Sequence, residues 1–260
     1  MQPQPRKRFG QHFLTDKDII NKIINVINPG NEPILEIGPG TGALTIPLLT
    51  RTGSLHVLEV DRDLVQIISE KCKGMGQLHI YCNDALGFDL QQVSDEKIKV
   101  AGNLPYNIST PLIFHLLGQI DHISEMIFML QDEVVDRMCA VTGTKAYGRL
   151  SVMVQSQCEV TKLFRVLPQA FTPPPKVISA VVRIMPHTQP VADIRDLTSF
   201  SIIVRDCFNQ RRKTLRNALK NLLSEDQIKS LGIDPRLRPE NLTVTAFAKL
   251  ANAYHNQINQ

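Results

Sequence analysis

The sequence predicts an α/β fold, a doubly wound and mostly parallel sheet followed by a small all-α domain. Three observations predict it. Between Pro33 and Ile184, short apolar stretches alternate with segments of helical periodicity, at the spacing of βαβ units. The first of those stretches runs into Gly38-Pro39-Gly40-Thr41-Gly42, at the strand end where open α/β sheets bind ligands. Beyond Pro186 to Pro190 only helical patterns remain.

Thr15-Asp16-Lys17-Asp18 reads as a helix N-cap, with Ile19, Ile20, Ile23, Ile24 and Ile27 following at helical spacing until Pro29-Gly30. Pro33 to Ile37 is the first strand, and Ala43 to Leu49 the helix after the glycine loop. Leu55 to Val60 is the second strand, and Asp61 to Lys73 a helix with Leu64, Ile67 and Ile68 inward. Leu78 to Tyr81 is the third, closing at Asn83-Asp84, and Lys97 to Gly102 the fourth, leading into Asn103-Leu104-Pro105-Tyr106. Ser109-Thr110-Pro111 opens a helix, with proline early, where its missing N–H costs nothing. Glu125 to Leu130 is the fifth strand and Glu133 to Ala140 a helix. Ser151 to Glu159 and Val177 to Ile184 read as two more strands with no clear helix between them, an antiparallel pair at the sheet edge. Phe200 to Leu223, Glu225 to Leu231 and Val244 to Tyr254 are helical. The boundary is expected between a domain of residues 1–187 and a helical one of 188–260.

Composition narrows the class. The 260 residues are 43% hydrophobic and 21% charged, which excludes a disordered chain. No apolar run approaches the roughly 18 residues of a membrane-spanning helix. Met1 to Arg8 carries charge with no apolar run after it, so no signal peptide is expected. Cys72, Cys82, Cys139, Cys158 and Cys207 are scattered, with no CxxC pair. That pattern speaks against a disulfide framework or a structural zinc, and for a reducing, cytoplasmic compartment. The net charge of +4 is mild, but its distribution is uneven. Arg6-Lys7-Arg8 opens the chain, and Arg205, Arg211, Arg212, Lys213, Arg216 and Lys220 crowd one segment against Asp206 alone. Such clusters are either a polyanion footprint or a solvated helix face.

The chemistry gathers at strand ends. Glu36 leads into the glycine loop, whose glycines allow a tight turn and close backbone approach to a ligand. An acid before GxGxG suits S-adenosylmethionine better than a dinucleotide, although Ala43 loosely completes the dinucleotide spacing and a plain turn stays open. Glu59, about 20 residues on, stands where a carboxylate takes both ribose hydroxyls. Asp84, with Ala85 and Leu86, can accept from an adenine amino group while apolar neighbours flank the ring. Three acids at successive strand ends favour a cofactor site over isolated strand-end acids.

Asn103-Leu104-Pro105-Tyr106 belongs to the (Asp/Asn)-Pro-Pro-Tyr class of amino-group methyltransferase motifs. An exocyclic adenine nitrogen is a poor nucleophile because its lone pair is delocalised into the ring. The Asn103 side-chain oxygen and the Leu104 carbonyl can accept its two hydrogens and favour a tetrahedral nitrogen. Pro105 fixes the backbone, and Tyr106 can stack on an extruded base. In Phe171-Thr172-Pro173-Pro174-Pro175-Lys176-Val177 the prolines stiffen a loop. Phe171 there either sandwiches the base with Tyr106 or is a core residue beside a rigid linker. The seven histidines are isolated, and His12 alone lies in a suggestive segment.

Several segments carry a resemblance through nearly the whole chain. They are Arg6 to Leu14, the Gly38 loop, Gly102 to Pro111, Tyr147 to Val152, Phe171 to Val177 and Phe208-Asn209-Gln210-Arg211-Arg212-Lys213-Thr214-Leu215. The chain resembles the bacterial small-subunit rRNA adenine N6-dimethyltransferases. The resemblance implies a Rossmann-like S-adenosylmethionine-dependent methyltransferase sheet with a helical rRNA-binding domain. It implies transfer of four methyl groups to N6 of two adjacent adenosines in a hairpin loop near the 3′ end of 16S rRNA, leaving S-adenosylhomocysteine. His12 and Leu14 match positions lining the cofactor, and position 12 is His or Asn in such proteins. Gly38, Gly40, Glu59, Asp84, Ala85 and Asn103 match the cofactor-binding positions. Asn103 also matches the catalytic position, and Leu104, Pro105, Tyr106 and Phe171 are the other expected catalytic residues. Thr41 stands where the family loop more often has Leu. Arg149, Arg211, Arg212, Lys213 and Arg216 are the expected RNA contacts, since structured RNA needs basic surface outside the pocket. The implied partner is 16S rRNA within the immature 30S subunit, with a late role in 30S assembly; no membrane and no metal are expected, and a monomer is the default. Enzymes of the Erm type, which act on large-subunit rRNA, share the cofactor fold and an Asn-Leu/Ile-Pro-Tyr motif. An assembly factor acting mainly by binding is the alternative of another class.

Overall fold

The computed structural model describes residues 12–259. They form two compact units. One reaches to Val135 and takes in Val160–Pro186; the other comprises Asp136–Glu159 and the residues from His187 on. The Arg6-Lys7-Arg8 cluster lies outside the described residues.

The first unit opens with a two-residue strand, β1 (Phe13–Leu14), and helix α1 (Lys17–Ile27). Asp16 caps α1 by accepting from the amides of Asp18 and Ile19. Asn28 ends it in the left-handed conformation at φ 44°. Then come β2 (Ile34–Ile37), α2 (Thr45–Thr52), β3 (Ser54–Leu58), α3 (Arg62–Lys71), β4 (Gln77–Tyr81), β5 (Ile98–Asn103), α4 (Ser109–Leu117) and β6 (Ile123–Gln131). Helix α5 (Asp132–Met138) follows. Every residue of β2 is buried, as expected of a parallel strand covered on both faces.

The second unit begins at Asp136, within α5, and includes α6 (Arg149–Gln155), after which β7 (Cys158–Val166) leads back to the first unit. Strand β8 (Phe171–Thr172) pairs antiparallel with β1, placing Leu14 opposite Phe171. Strand β9 (Ser179–Pro186) completes a seven-stranded sheet of order β4-β3-β2-β5-β6-β9-β7. The pairs from β4 to β6 are parallel, and β9 runs antiparallel to β6. The chain leaves β2 toward β3 on one side and reaches β5 on the other. This reversal puts the ends of β2 and β5 side by side and opens a crevice between their following loops.

At the opposite end of these strands Lys99 is buried. Its Nζ meets Glu32 at 2.7 Å and Glu125 at 3.3 Å, and donates to the Ile27 carbonyl at 2.7 Å. Arg183 holds the other Glu125 oxygen at 2.7 Å and donates to the Val26 carbonyl. The network satisfies the C-terminal carbonyls of α1 and ties them to β5, β6 and β9.

Two expectations change in the second unit. Ser151 to Glu159 was expected as a strand, but Arg149–Gln155 is helix α6, and the strand begins at Cys158. The run Leu150 to Val154 is buried throughout, so its apolar content reflects burial rather than β alternation. The boundary also differs from the one expected after residue 187, because residues 136–159 pack with the C-terminal helices. Within that unit the Tyr147 hydroxyl donates to the Leu242 carbonyl, and Gly143 N–H to that of Glu240. The helices there are α7 (Leu197–Asn209), α8 (Leu215–Ala218), α9 (Glu225–Ser230) and α10 (Val244–Ile258). The helix expected from Phe200 to Leu223 is therefore broken over residues 210–214, where Arg211 turns back to bind Glu240 at 2.9 Å.

Candidate active site

A cavity of about 240 Å³ opens at the carboxyl ends of β2, β3 and β5. Its floor is the loop after β2. Gly38, Gly40 and Gly42 all have positive φ, at 71°, 55° and 93°. Gly40 is needed twice over: beyond its backbone angle, a Cβ there would stand 3.3 Å from the Phe13 ring. Gly102 meets a harder limit, since a Cβ would lie 2.3 Å from the Ile37 carbonyl oxygen. That absence of a side chain lets β5 lie against β2 and brings Asn103 beside the glycine loop.

The acids lie where the strands deliver them. Glu36 lines the cavity yet is buried, with no hydrogen-bond partner for Oε2. Burial pushes its carboxyl up to about 8, against the pull of the Thr45 hydroxyl, and the Glu59 charge adds to the rise. Glu59 is buried too and shifted in the same direction, although its Oε1 accepts from the Asp61 amide at 3.0 Å. Asp84 is exposed at the cavity edge, one oxygen accepting from the Leu86 amide.

Asn103 ends β5. Its Nδ2 donates to the His12 carbonyl at 3.1 Å, and Oδ1 has no partner among the described residues. Leu104 N–H is taken by the Met129 carbonyl. The Pro105 carbonyl receives Ile108 N–H and the Ser109 hydroxyl at 2.9 Å, which fixes the turn. The Leu104 carbonyl accepts no hydrogen bond among the described residues. Tyr106 binds Ser179 through its hydroxyl at 2.8 Å and stacks on the His12 ring, centroids 5.8 Å apart. Burial holds the Tyr106 phenol above its ordinary range, so it stays neutral.

The structure thus brings together His12, Leu14, Gly38, Gly40, Glu59, Asp84, Asn103, Leu104, Pro105 and Tyr106. Ala85 is half-buried in the Asp84 turn and does not line the cavity. Phe171 does not line it either. It is 3% exposed and packs in the core with Leu14 and Ile24, the second of the two readings the sequence left open. Its strand β8 pairs with β1, where it stands opposite Leu14. Phe13, Val60, Leu64 and Ile108 also line the cavity, none of them expected there from the sequence. Val60 carried a usable signal, an apolar residue directly after the strand-end acid Glu59, and in the fold it is 49% exposed.

In the second unit Arg212, Lys213, Arg216 and Arg149 are exposed. Arg211 is committed within its own unit, to Glu240 and to the Lys145 carbonyl at 2.7 Å.

S-Adenosylmethionine, the cofactor the resemblance implies, suits this residue set. A buried carboxyl with an orphan oxygen awaits a donor, the glycine loop exposes backbone where a Cβ would fill the space, and Glu59 and Asp84 stand at successive strand ends.

The sequence pattern of the ribosomal RNA adenine dimethylase family matches residues 3–256. The ribosomal RNA small subunit methyltransferase A of Nitrosococcus oceani is 52% identical over 94% of both chains. The protein of the same name from Coxiella burnetii is 50% identical over 95% of this chain and 96% of its own. Among solved structures, a dimethyladenosine transferase from Plasmodium falciparum has a TM-score of 0.78 at 28% identity, covering 95% of this chain and 98% of its own. The 23S rRNA methyltransferase ErmE shares the fold, with a TM-score of 0.73 at 22% identity over 94% and 99% of the two chains. Similarity of this extent runs through both units and not the cofactor fold alone, and by it the chain is a methyltransferase that belongs to the ribosomal RNA adenine dimethylase family.

Proposed function

We propose that the chain transfers methyl groups from S-adenosylmethionine to N6 of two adjacent adenosines in a hairpin loop near the 3′ end of 16S rRNA, giving dimethyladenosines. The relatives at 50–52% identity, named for the small ribosomal subunit, support this choice of substrate. The observation that carries the chemistry is the anchored amide of Asn103, whose nitrogen is taken by His12 while its oxygen stays available.

The donor, when bound, supplies an electrophilic methyl group on a sulfonium. Glu59 would hold its ribose hydroxyls and Asp84 its adenine amino group, with Leu14 and Leu86 as apolar walls and the Gly38–Gly40 backbone beneath. In the first transfer Asn103 Oδ1 and the Leu104 carbonyl accept the two N6 hydrogens and favour a localised lone pair pointing away from them; in the second, one of these acceptors takes the single hydrogen that remains on N6. Tyr106 stacks on the extruded base and Pro105 fixes the turn. Holding nucleophile and methyl in line supplies the larger part of the acceleration. No general base is required, because the methylated nitrogen carries the positive charge given up by the sulfonium and then loses its proton to solvent water. Arg149, Arg212, Lys213 and Arg216 would meet RNA phosphates of the immature 30S particle in the cytoplasm, while Arg211 holds that segment in shape. The enzyme acts as a monomer and releases S-adenosylhomocysteine.

The test is an Asn103→Ala variant offered to immature 30S subunits lacking the modification. Methyl transfer should vanish while binding to the particle persists. Retained methylation would remove Asn103 from the mechanism, and lost binding with an intact fold would break the division between site and RNA-binding surface.

A further inference from the structure

Tyr106 is held at two points. Its hydroxyl meets Ser179 Oγ at 2.8 Å, and one ring face lies on His12 at an interplanar angle of 29°. Ser179 is fully buried and opens β9, its backbone fixed in the ladder opposite Gln131 of β6. Its hydroxyl therefore has little freedom to follow the tyrosine. His12 is in turn fastened by its ring Nδ1 to the Pro173 carbonyl at 2.8 Å, and by its own carbonyl to Asn103. The acceptors and the stacking ring are thus referred to one rigid frame, with Ser179 as its far anchor. A buried Ser–Tyr pair has an ordinary structural explanation, mutual satisfaction of two hydroxyls. What distinguishes this pair is that one partner lines the cavity directly after the acceptor residues.

We infer that Ser179 is a positioning residue for methyl transfer, fixing the tilt of the Tyr106 ring and with it the plane of the stacked adenine relative to Asn103 and Leu104. The inference rests on the proposed adenosine-methylating function. A ring released from Ser179 still stacks, so the base still enters the site. It then presents N6 at a spread of angles, and the loss falls on the transfer step more than on binding.

The experiment compares parent, Ser179→Ala, Tyr106→Phe and the double variant on unmethylated 30S subunits. Single-turnover rate, KM for the particle and Kd for S-adenosylmethionine are measured, with melting temperature alongside. Each single change removes one half of the same hydrogen bond, and Tyr106→Phe does so without touching β9. Each should slow transfer about five- to tenfold, the scale of one hydrogen bond, with KM and cofactor Kd unchanged. The double variant should be no slower than the slower single one. Parent-like rates in Ser179→Ala, or single losses that multiply in the double variant, would overturn the positioning role. So would a Ser179→Ala variant that only melts earlier while Tyr106→Phe keeps the parent rate. A parent that methylates no adenosine would sink the functional reading first, and this inference with it.

Discussion

The Nδ2 of Asn103 donates to the carbonyl of His12 at 3.1 Å, so a residue at the end of β5 takes its orientation from the residue before β1. An aspartate at position 103 would set two acceptors against that carbonyl. Asn103→Asp should lower the single-turnover rate about 100-fold, the scale of losing one aligned polar group in an active site. Cofactor affinity should change little, and equilibrium dialysis beside a rapid-quench assay separates the two. An equal loss in both would mean that Asn103 serves the cofactor.

Gly40→Ala asks for a Cβ at φ 55° and 3.3 Å from Phe13. The left-handed conformation costs a non-glycine residue about 1–2 kcal/mol, and Phe13 must also yield. The expected result is a folded protein whose cofactor Kd rises about tenfold or more, read by calorimetry. An unchanged Kd would place the cofactor away from this loop.

Glu36 ties stability to pH. Its carboxyl titrates near 8 in the folded chain against 4.5 as the ordinary value, so the folded state keeps a proton that the unfolded state releases. Stability from this group is complete below about pH 4.5 and is lost as pH rises through about 8. Glu59 contributes with the same sign. Glu36→Gln should therefore flatten the decline in cofactor-free stability between those limits, an effect of the order of a few kcal/mol. Urea titrations at several pH values would show it, and a slope equal to the parent's would refute it.

Stability and catalysis should separate at Lys99. Lys99→Met removes the cation between Glu32 and Glu125 and leaves the Ile27 carbonyl unpaired. Breaking a buried pair on one side costs about 3–5 kcal/mol. The melting temperature should fall while the rate per folded molecule stays the same, because this network lies at the strand ends away from the cavity. A lower rate at full folding would expose a coupling between the two ends of the sheet.

Phe171 and Tyr106 should behave differently. Phe171→Leu keeps an apolar side chain in the core and should lose stability with modest loss of rate. Tyr106→Ala removes the stacking surface and should cut transfer by about 10–100-fold. If Phe171→Leu lost as much rate as Tyr106→Ala at equal folding, the aromatic ring at 171 would belong to the base after all.

Much of this was legible because local chemistry and tertiary role coincide. Gly38 and Gly40 announce a turn that only glycine makes comfortably, and Asn103-Leu104-Pro105-Tyr106 announces its acceptors whatever surrounds it. For Phe171 a stiff proline loop does not reveal which way the preceding side chain turns; the fold buries it beside the β1–β8 pairing, which joins Leu14 and Phe171 across 157 residues of sequence. Two-residue strands leave no periodicity to find. Leu150 to Val154 failed for another reason, since a fully buried helix and a buried strand have the same composition over five residues. Ser179 carried no signal, being one serine among several until the fold set it against Tyr106.

The identity of the methylated nucleoside decides whether the protein dimethylates 16S rRNA. Parent protein is incubated with tritiated S-adenosylmethionine and 30S subunits lacking the modification, the rRNA is digested, and the labelled nucleoside is identified and mapped. The expected label is N6-dimethyladenosine at two adjacent adenosines near the 3′ end of 16S rRNA. Label in 23S rRNA when 50S particles are offered, or no label in any RNA, would contradict it.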